Sequence, residues 1–183
     1  AGFKQIKELW TPIFDVFDQC GVKFALEVHP TEIAFDYYST QKLLEVFEYR
    51  ETLGINFDPS HLIWQGMDPI QVIRALGGEA IFHVHAKDTK IDPINAPIDG
   101  TLDYRPYGDE IHRSWIFRSI GYGHDELFWK DFVSQLRLVG YDYVLSIEHE
   151  DSLMSKNEGL VKACDVLKRA ITFEDKMTEA RWF

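Results

Sequence analysis

Two histidines close an apolar, β-branched run in the stretch Ala80-Ile81-Phe82-His83-Val84-His85-Ala86-Lys87-Asp88. On a strand, side chains two apart share a face, so His83 and His85 point the same way, and His85 stands where the strand gives way to a loop. Three other apolar runs end on a polar residue in the same manner. Phe24-Ala25-Leu26 runs into Glu27, Ile55-Asn56-Phe57 into Asp58, and Tyr143-Val144-Leu145-Ser146-Ile147 into Glu148. One imidazole and three carboxylates are hard nitrogen and oxygen ligands, suited to one divalent ion such as Mn, Mg, Co or Zn. His83, one pleat deeper, is the rival to His85 and is expected to be a hydrogen-bonded core histidine.

The elements that carry these tips follow a βα beat. Phe3, Ile6, Leu9 and Trp10 recur at helical spacing. Thr11-Pro12 then looks like a cap followed by proline at a first helical position, opening a helix from about Pro12 to Cys20 that stops at Gly21. Ser39 or Thr40 caps a second helix, with Leu43, Leu44 and Phe47, running to about Leu53 before Gly54. A third spans about Pro69 to Leu76, and Gly77-Gly78 follows it. From Asp88 to His124 the prolines and glycines are dense and the periodicity is lost, as in a long functional loop. Asp125-Glu126-Leu127 opens a helix through Phe128, Phe132, Leu136 and Val139 that Gly140 closes. A last helix covers about Lys156 to Ile171, and the tail ends in Trp182-Phe183, which is expected to dock against something.

Strands alternating with helices across short polar joints predict an α/β fold with a parallel sheet. Glu27 and Asp58 are 31 residues apart and Asp58 and His85 are 27 apart, each near one βα unit, whereas His85 to Glu148 takes 63 and so absorbs the irregular segment. Strand C-termini are where both barrels and open α/β sheets place their chemistry.

Composition narrows the function classes. The chain of 183 residues has no low-complexity linker and reads as a single domain, residues 1–183. Nineteen basic against 30 acidic side chains give a formal charge of −11, spread along the length, which disfavours nucleic acid and anionic membranes as partners. No apolar run approaches a membrane span, and the start, Ala1-Gly2-Phe3-Lys4, lacks a signal-peptide core. It reads like a chain entered partway through. Cys20 and Cys164 form no CxxC pair, which fits a reducing, cytoplasmic setting.

Glu27-Val28-His29-Pro30, Asp58-Pro59-Ser60-His61, His85-Ala86-Lys87-Asp88, Gly121-Tyr122-Gly123 and Ser146-Ile147-Glu148-His149-Glu150-Asp151 resemble the sugar phosphate isomerase/epimerase group of the xylose isomerase-like TIM-barrel superfamily. In that superfamily the fifth to eighth strands end in Glu, Asp, His and Glu around one divalent metal. The resemblance gives those ligand roles to Glu27, Asp58, His85 and Glu148, and catalytic proton transfer to Glu27 and Glu148. It also makes His61 a substrate-contacting or second-metal residue. His29, two beyond Glu27, is within reach of substrate; Lys87 and Arg118 are the cationic candidates for substrate oxygens. Glu150 shares parity with Glu148 and is a candidate to support the ligands, whereas His149 faces away and is expected to be structural. Trp64 and Trp115 are candidate pocket walls.

A full barrel takes about 250 residues and eight βα units, but only about four strands are legible here, matching the second half. A half-barrel leaves apolar edges uncovered and predicts a homo-oligomer. The activity implied is a metal-dependent sugar or sugar phosphate isomerase or epimerase working through an enediolate, with a sugar as its small-molecule partner. The same enediolate ejecting a β-hydroxyl gives a dehydratase or lyase on a keto-sugar or inosose. An endonuclease IV-type phosphodiesterase is disfavoured, because Trp115 and Phe117 occupy the positions of that enzyme's additional Asp-x-His. A half-barrel that keeps its ligands without turnover is the remaining alternative.

Overall fold

The computed structural model describes residues 2–174, and the expected docking of Trp182-Phe183 lies outside the described residues. Four strands form a parallel sheet in the order β1 (Phe24–Glu27), β2 (Leu53–Phe57), β3 (Ile81–Ala86) and β6 (Leu145–Ile147). Between β3 and β6 an antiparallel ribbon, β4 (Asp88–Ile91) with β5 (Trp115–Arg118), stands apart as a second sheet. The helices are α1 (Gly2–Cys20), α2 (Tyr37–Val46), α3 (Pro59–Trp64), α4 (Pro69–Leu76), α5 (Ala96–Asp99), α6 (Glu126–Leu138) and α7 (Lys156–Ala170). This is the expected α/β architecture of parallel βα units, and it has the extent of half a barrel.

The core lies between the sheet and its helices. Leu53, Ile55 and Phe57 of β2 and Ile81, Val84 and Ala86 of β3 are buried there with Phe132 and Leu136 of α6 and Ala163 and Leu167 of α7. Full burial of such side chains contributes roughly 1.5–3 kcal/mol each, which is enough to hold short strands in place. The opposite face of the sheet carries Asn56, His83 and His85. A register shift sets Ile55 opposite Ile81 but Asn56 opposite His83, so Phe82 is an extra residue, as in a β-bulge. Its ring fills the space where a Cβ on Gly54 would stand. Gly54 is therefore a strand residue chosen for close approach, not the helix stop expected from sequence.

Three other expectations are corrected. The helix predicted to begin at Pro12 is one continuous helix from Gly2, with Pro12 inside it. A proline there forfeits a backbone hydrogen bond, but the apolar stripe runs through it unbroken. Phe3, Ile6, Trp10, Phe14 and Phe17 all reach the core, and Phe14 meets Phe47 edge-on at 5.0 Å. The second helix starts earlier, because Asp36 caps it in a capping box with Ser39, and it ends at Val46, where Glu48 and Tyr49 take positive φ of 57° and 55° and turn the chain into β2. The irregular segment from Asp88 to His124 contains β4, β5 and α5. Its strands are only four residues long and are separated by 23 residues rich in proline and glycine, so no periodicity announces them.

Asp88 holds that segment to the barrel. It is fully buried, and its carboxylate accepts from the backbone N–H groups of Thr89, Gly121, Gly123 and His124 at 2.9–3.1 Å, from Trp129 Nε1 at 3.3 Å, and pairs with His124 Nδ1 at 2.8 Å. A Cβ at Gly123 would overlap this carboxylate. The Gly121-Tyr122-Gly123 motif is thus explained by wrapping backbone around a buried acid. Asp88→Ala should destabilise the chain by about 3 kcal/mol or more, since several donors lose a charged partner out of water. Urea unfolding of the purified variant measures this, and a change below about 1 kcal/mol would contradict the anchoring role.

Candidate metal centre

Each of the four strand tips delivers one side chain to the same end of the sheet. Glu27 closes β1, His85 is the second-to-last residue of β3, and Glu148 follows β6, its N–H bonded to Ala86 O at 3.2 Å. Asp58 follows β2 and caps α3, a short helix missing from the sequence-based expectation. Its Oδ1 accepts from Ser60 N at 2.8 Å, which fixes the carboxylate and leaves Oδ2 turned into the site. One ligand atom from each of Glu27, Asp58, His85 and Glu148 lies within 4.8 Å of every other. Bonds of about 2.0–2.5 Å put ligands on opposite sides of an ion about 4–5 Å apart, so this spacing fits a single cation.

The polar atoms are arranged as if for an ion. Asp58 Oδ2 is a buried acceptor without a hydrogen-bond donor in place, and both ring nitrogens of His61 are likewise buried and unbonded. Native interiors seldom leave such atoms unsatisfied, and three carboxylates with one imidazole suit a hard or borderline divalent ion. His85 Nδ1 sits 3.0 Å from Glu148 Oε2 and 3.2 Å from Glu27 Oε1. Hydrogen bonds to Glu148 and Glu27 raise the His85 pKa to about 10, and the same bond from His85 lowers Glu148 to about 2 and Glu27 below its usual range. Burial raises Asp58 to about 7, partly opposed by the charge of Lys87.

Around the cluster is an open cleft of about 410 Å³ lined by Glu27, His29, His61, Lys87, Tyr107, Phe117, Glu148 and Glu150. His61 is buried, with Nε2 3.4 Å from Asp58 Oδ2 and 3.7 Å from Glu27 Oε1, and burial holds its pKa down to about 3, so it is neutral. His29 meets the His61 ring edge-on at 4.3 Å. Lys87 places Nζ 2.5 Å from Glu150 Oε2, 3.5 Å from Glu148 Oε2 and 3.7 Å from Asp58 Oδ2. Burial disfavours its charge, but Asp58, Glu150 and Glu148 together outweigh that and the pKa is raised.

The structure therefore brings Glu27, Asp58, His85, Glu148, His61, His29, Lys87 and Glu150 together and leaves Arg118 out. Arg118 Nε donates to the buried carboxylate of Asp151 at 3.1 Å, and its guanidinium lies over Tyr122, away from the cleft lining. The strand puts Arg118 opposite Asp88 in the ribbon, a pairing invisible while β4 and β5 were unrecognised. His83 is half-buried and touches His85 edge-on at 5.6 Å, without a hydrogen bond of its own among the described residues, contrary to expectation. His149 packs where a Cβ of Gly159 would stand and approaches Ser119 Oγ at 3.4 Å, a structural position as its parity implied. Trp64 and Trp115 stack at 4.8 Å behind the wall. The aromatic surface facing the cleft is Phe117 and Tyr107 instead.

Tyr107, Asn56 and Phe117 are the site residues that sequence reasoning passed over. Asn56 Nδ2 lies 3.2 Å from His85 Nε2, beside the imidazole. Its signal was a polar residue inside an otherwise apolar strand. Tyr107 comes from the arm between β4 and β5. Its ring lies over the buried Arg113 guanidinium at 4.4 Å, which also faces Trp115 at 4.6 Å. Nothing in the local sequence marks it.

A parallel βα sheet with a candidate metal-ligand cluster at its strand C-termini is the architecture of a TIM-barrel half. The chain belongs to the xylose isomerase-like TIM barrel family, whose pattern matches residues 1–170. It is 34% identical over 164 residues to the uncharacterized protein YfiH of Bacillus subtilis (strain 168), covering 89% of this chain and 51% of that protein. Among solved structures it is similar to a xylose isomerase domain protein from Planctomyces limnophilus, with TM-score 0.63, 23% identity, and coverage of 91% of this chain and 51% of the other. It is similar also to the probable 3-DHS dehydratase AsbF from Bacillus anthracis, with TM-score 0.61, 19% identity, and coverage of 91% and 55%. At those identities the structural likeness speaks for the fold. The chain spans about half the length of these relatives.

Proposed function

We propose that this chain carries the metal-binding half of a sugar isomerase or epimerase that moves a proton on the carbon next to a carbonyl. The observation that carries the reading is the convergence of Glu27, Asp58, His85 and Glu148 within 4.8 Å, with the buried Asp58 Oδ2 left without a donor. These four residues would hold the ion. A divalent cation there would supply Lewis acidity, making the carbon beside a chelated carbonyl more acidic and favouring an enediolate.

The remaining chemistry belongs to the chain. Glu27 and Glu148, ionised at neutral pH, are the bases that remove the proton and return it. His61, neutral and walled by Phe117, and His29 line the cleft beside the ligands, and Lys87 holds Glu150 and Glu148 in place there. Dehydration of a keto-sugar is the second reading, because it begins with the same proton abstraction and a structural relative is named a probable dehydratase. The test is incubation of the metal-loaded protein with a panel of ketoses and inososes in deuterated water. Deuterium gained at the carbon beside the carbonyl, with or without loss of water, supports the reading. Metal bound with no exchange on any of them would favour a non-catalytic half-barrel.

We propose further that the chain self-associates. Among the described residues β1 and β6 are sheet edges with no further strand, and Tyr143 and Val144 beside β6 are 72% and 58% exposed. Bare edges of this kind invite pairing. Light scattering should give a mass above that of one chain, and a clean monomer would overturn the proposal.

A further inference from the structure

We propose that Glu150 masks Lys87, so that the cleft accepts an uncharged polyhydroxy substrate and rejects a phosphorylated one. This rests on reading the cleft as the substrate site, and deepens it by naming the substrate class. Lys87 is the cation that lines the cleft among the described residues, and its side chain is 3% exposed. Its ammonium is already enclosed by Glu150 at 2.5 Å, Glu148 at 3.5 Å, Asp58 at 3.7 Å and the face of Phe117 at 4.1 Å. No side of it is left open to a dianion.

Other cations nearby are committed elsewhere. Arg118 is held by Asp151. Arg113 is buried under Tyr107 and Trp115, with its guanidinium donating to the carbonyls of Trp115 and Arg105. Barrels of this type commonly bind phosphate with the loops after their last two strands. By the resemblance those strands are β3 and β6, and the residues that follow them are Lys87 on one side and Glu148, Glu150 and Asp151 on the other. The cleft and its metal ligands together carry four carboxylates, Glu27, Asp58, Glu148 and Glu150, against one ammonium. Two positive charges from a divalent ion still leave one negative charge unmatched.

A sugar without phosphate fits the same groups well. Glu150 accepts from a hydroxyl, and Tyr107 with Phe117 offers apolar ring surface to C–H groups. Glu150 is then the residue that sets specificity, by repulsion of the wrong ligand as much as by attraction of the right one.

The probe is inorganic phosphate, titrated into metal-free protein and followed by phosphorus NMR, for wild type, Glu150→Gln, and Glu150→Gln combined with Lys87→Met. Far-UV circular dichroism checks that each is folded. Wild type should show no saturable binding at millimolar phosphate. Glu150→Gln should bind at least about tenfold more tightly, the change expected when one close repelling charge is removed, and the double variant should lose the gain. Saturable binding by wild type, no gain in Glu150→Gln, or a gain that survives Lys87→Met would each overturn the proposal. No metal and no turnover enter this readout, so its failure is distinguishable from failure of the isomerase reading.

Discussion

Glu148→Gln, at saturating metal, should lower deuterium exchange at the substrate carbon by about 10²- to 10⁴-fold, the usual contribution of a positioned general base. The amide keeps the volume and one oxygen of the carboxylate but cannot take up a proton at neutral pH. Glu148 faces the cleft and stays ionised, because its hydrogen bond from His85 holds the metal-free pKa near 2. A divalent cation held by the four ligands would likewise favour the ionised form of Glu148. Isothermal titration of the metal on the same variant separates loss of the base from loss of the ion. Exchange retained at the wild-type rate, with metal bound, would remove Glu148 from the proposed mechanism. Glu27→Gln should act in the same direction, since Glu27 also meets His85 Nδ1, at 3.2 Å, and lines the same cleft.

The candidate cluster was legible because each member sits where an apolar run stops, and strand C-termini of a parallel sheet all lie at one end. The half-barrel extent was legible for the same reason, as four such endings account for every long apolar run. What escaped was whatever depends on contacts distant in sequence. Pro12 looked like a helix start because its local signal is strong, yet the stripe from Phe3 to Phe17 packs on β1 and α2 and keeps the helix whole. Gly54 looked like a stop because nothing near it announces the Phe82 ring. Arg118 looked available because its partner, Asp151, is 33 residues away. Tyr107 reaches the cleft through its packing on Arg113, Trp115 and Phe117, a stack that no periodicity encodes.

Metal affinity should rise steeply with pH, and the slope follows from which ligands hold protons when the ion is absent. Asp58, raised to about 7 by burial, and His85, raised to about 10 by its two carboxylates, must both be deprotonated to ligate, whereas Glu27 and Glu148 already are. Binding therefore releases two protons below about pH 7 and one between about pH 7 and 10, so the affinity constant climbs about 100-fold and then about tenfold per pH unit. Stability of the metal-free fold moves the opposite way. The His85 contribution is fully present below its unfolded pKa of 6.5 and is lost as pH rises toward 10. Asp58, more protonated when folded than when unfolded, withdraws stability between about pH 4 and 7. Raising the pH thus weakens the empty protein while strengthening its hold on the ion, and the metal-induced rise in melting temperature should widen accordingly. Calorimetric titration in buffers of different ionisation enthalpy counts the protons directly. A count near zero at about pH 6.5 would mean that Asp58 and His85 do not ligate the ion.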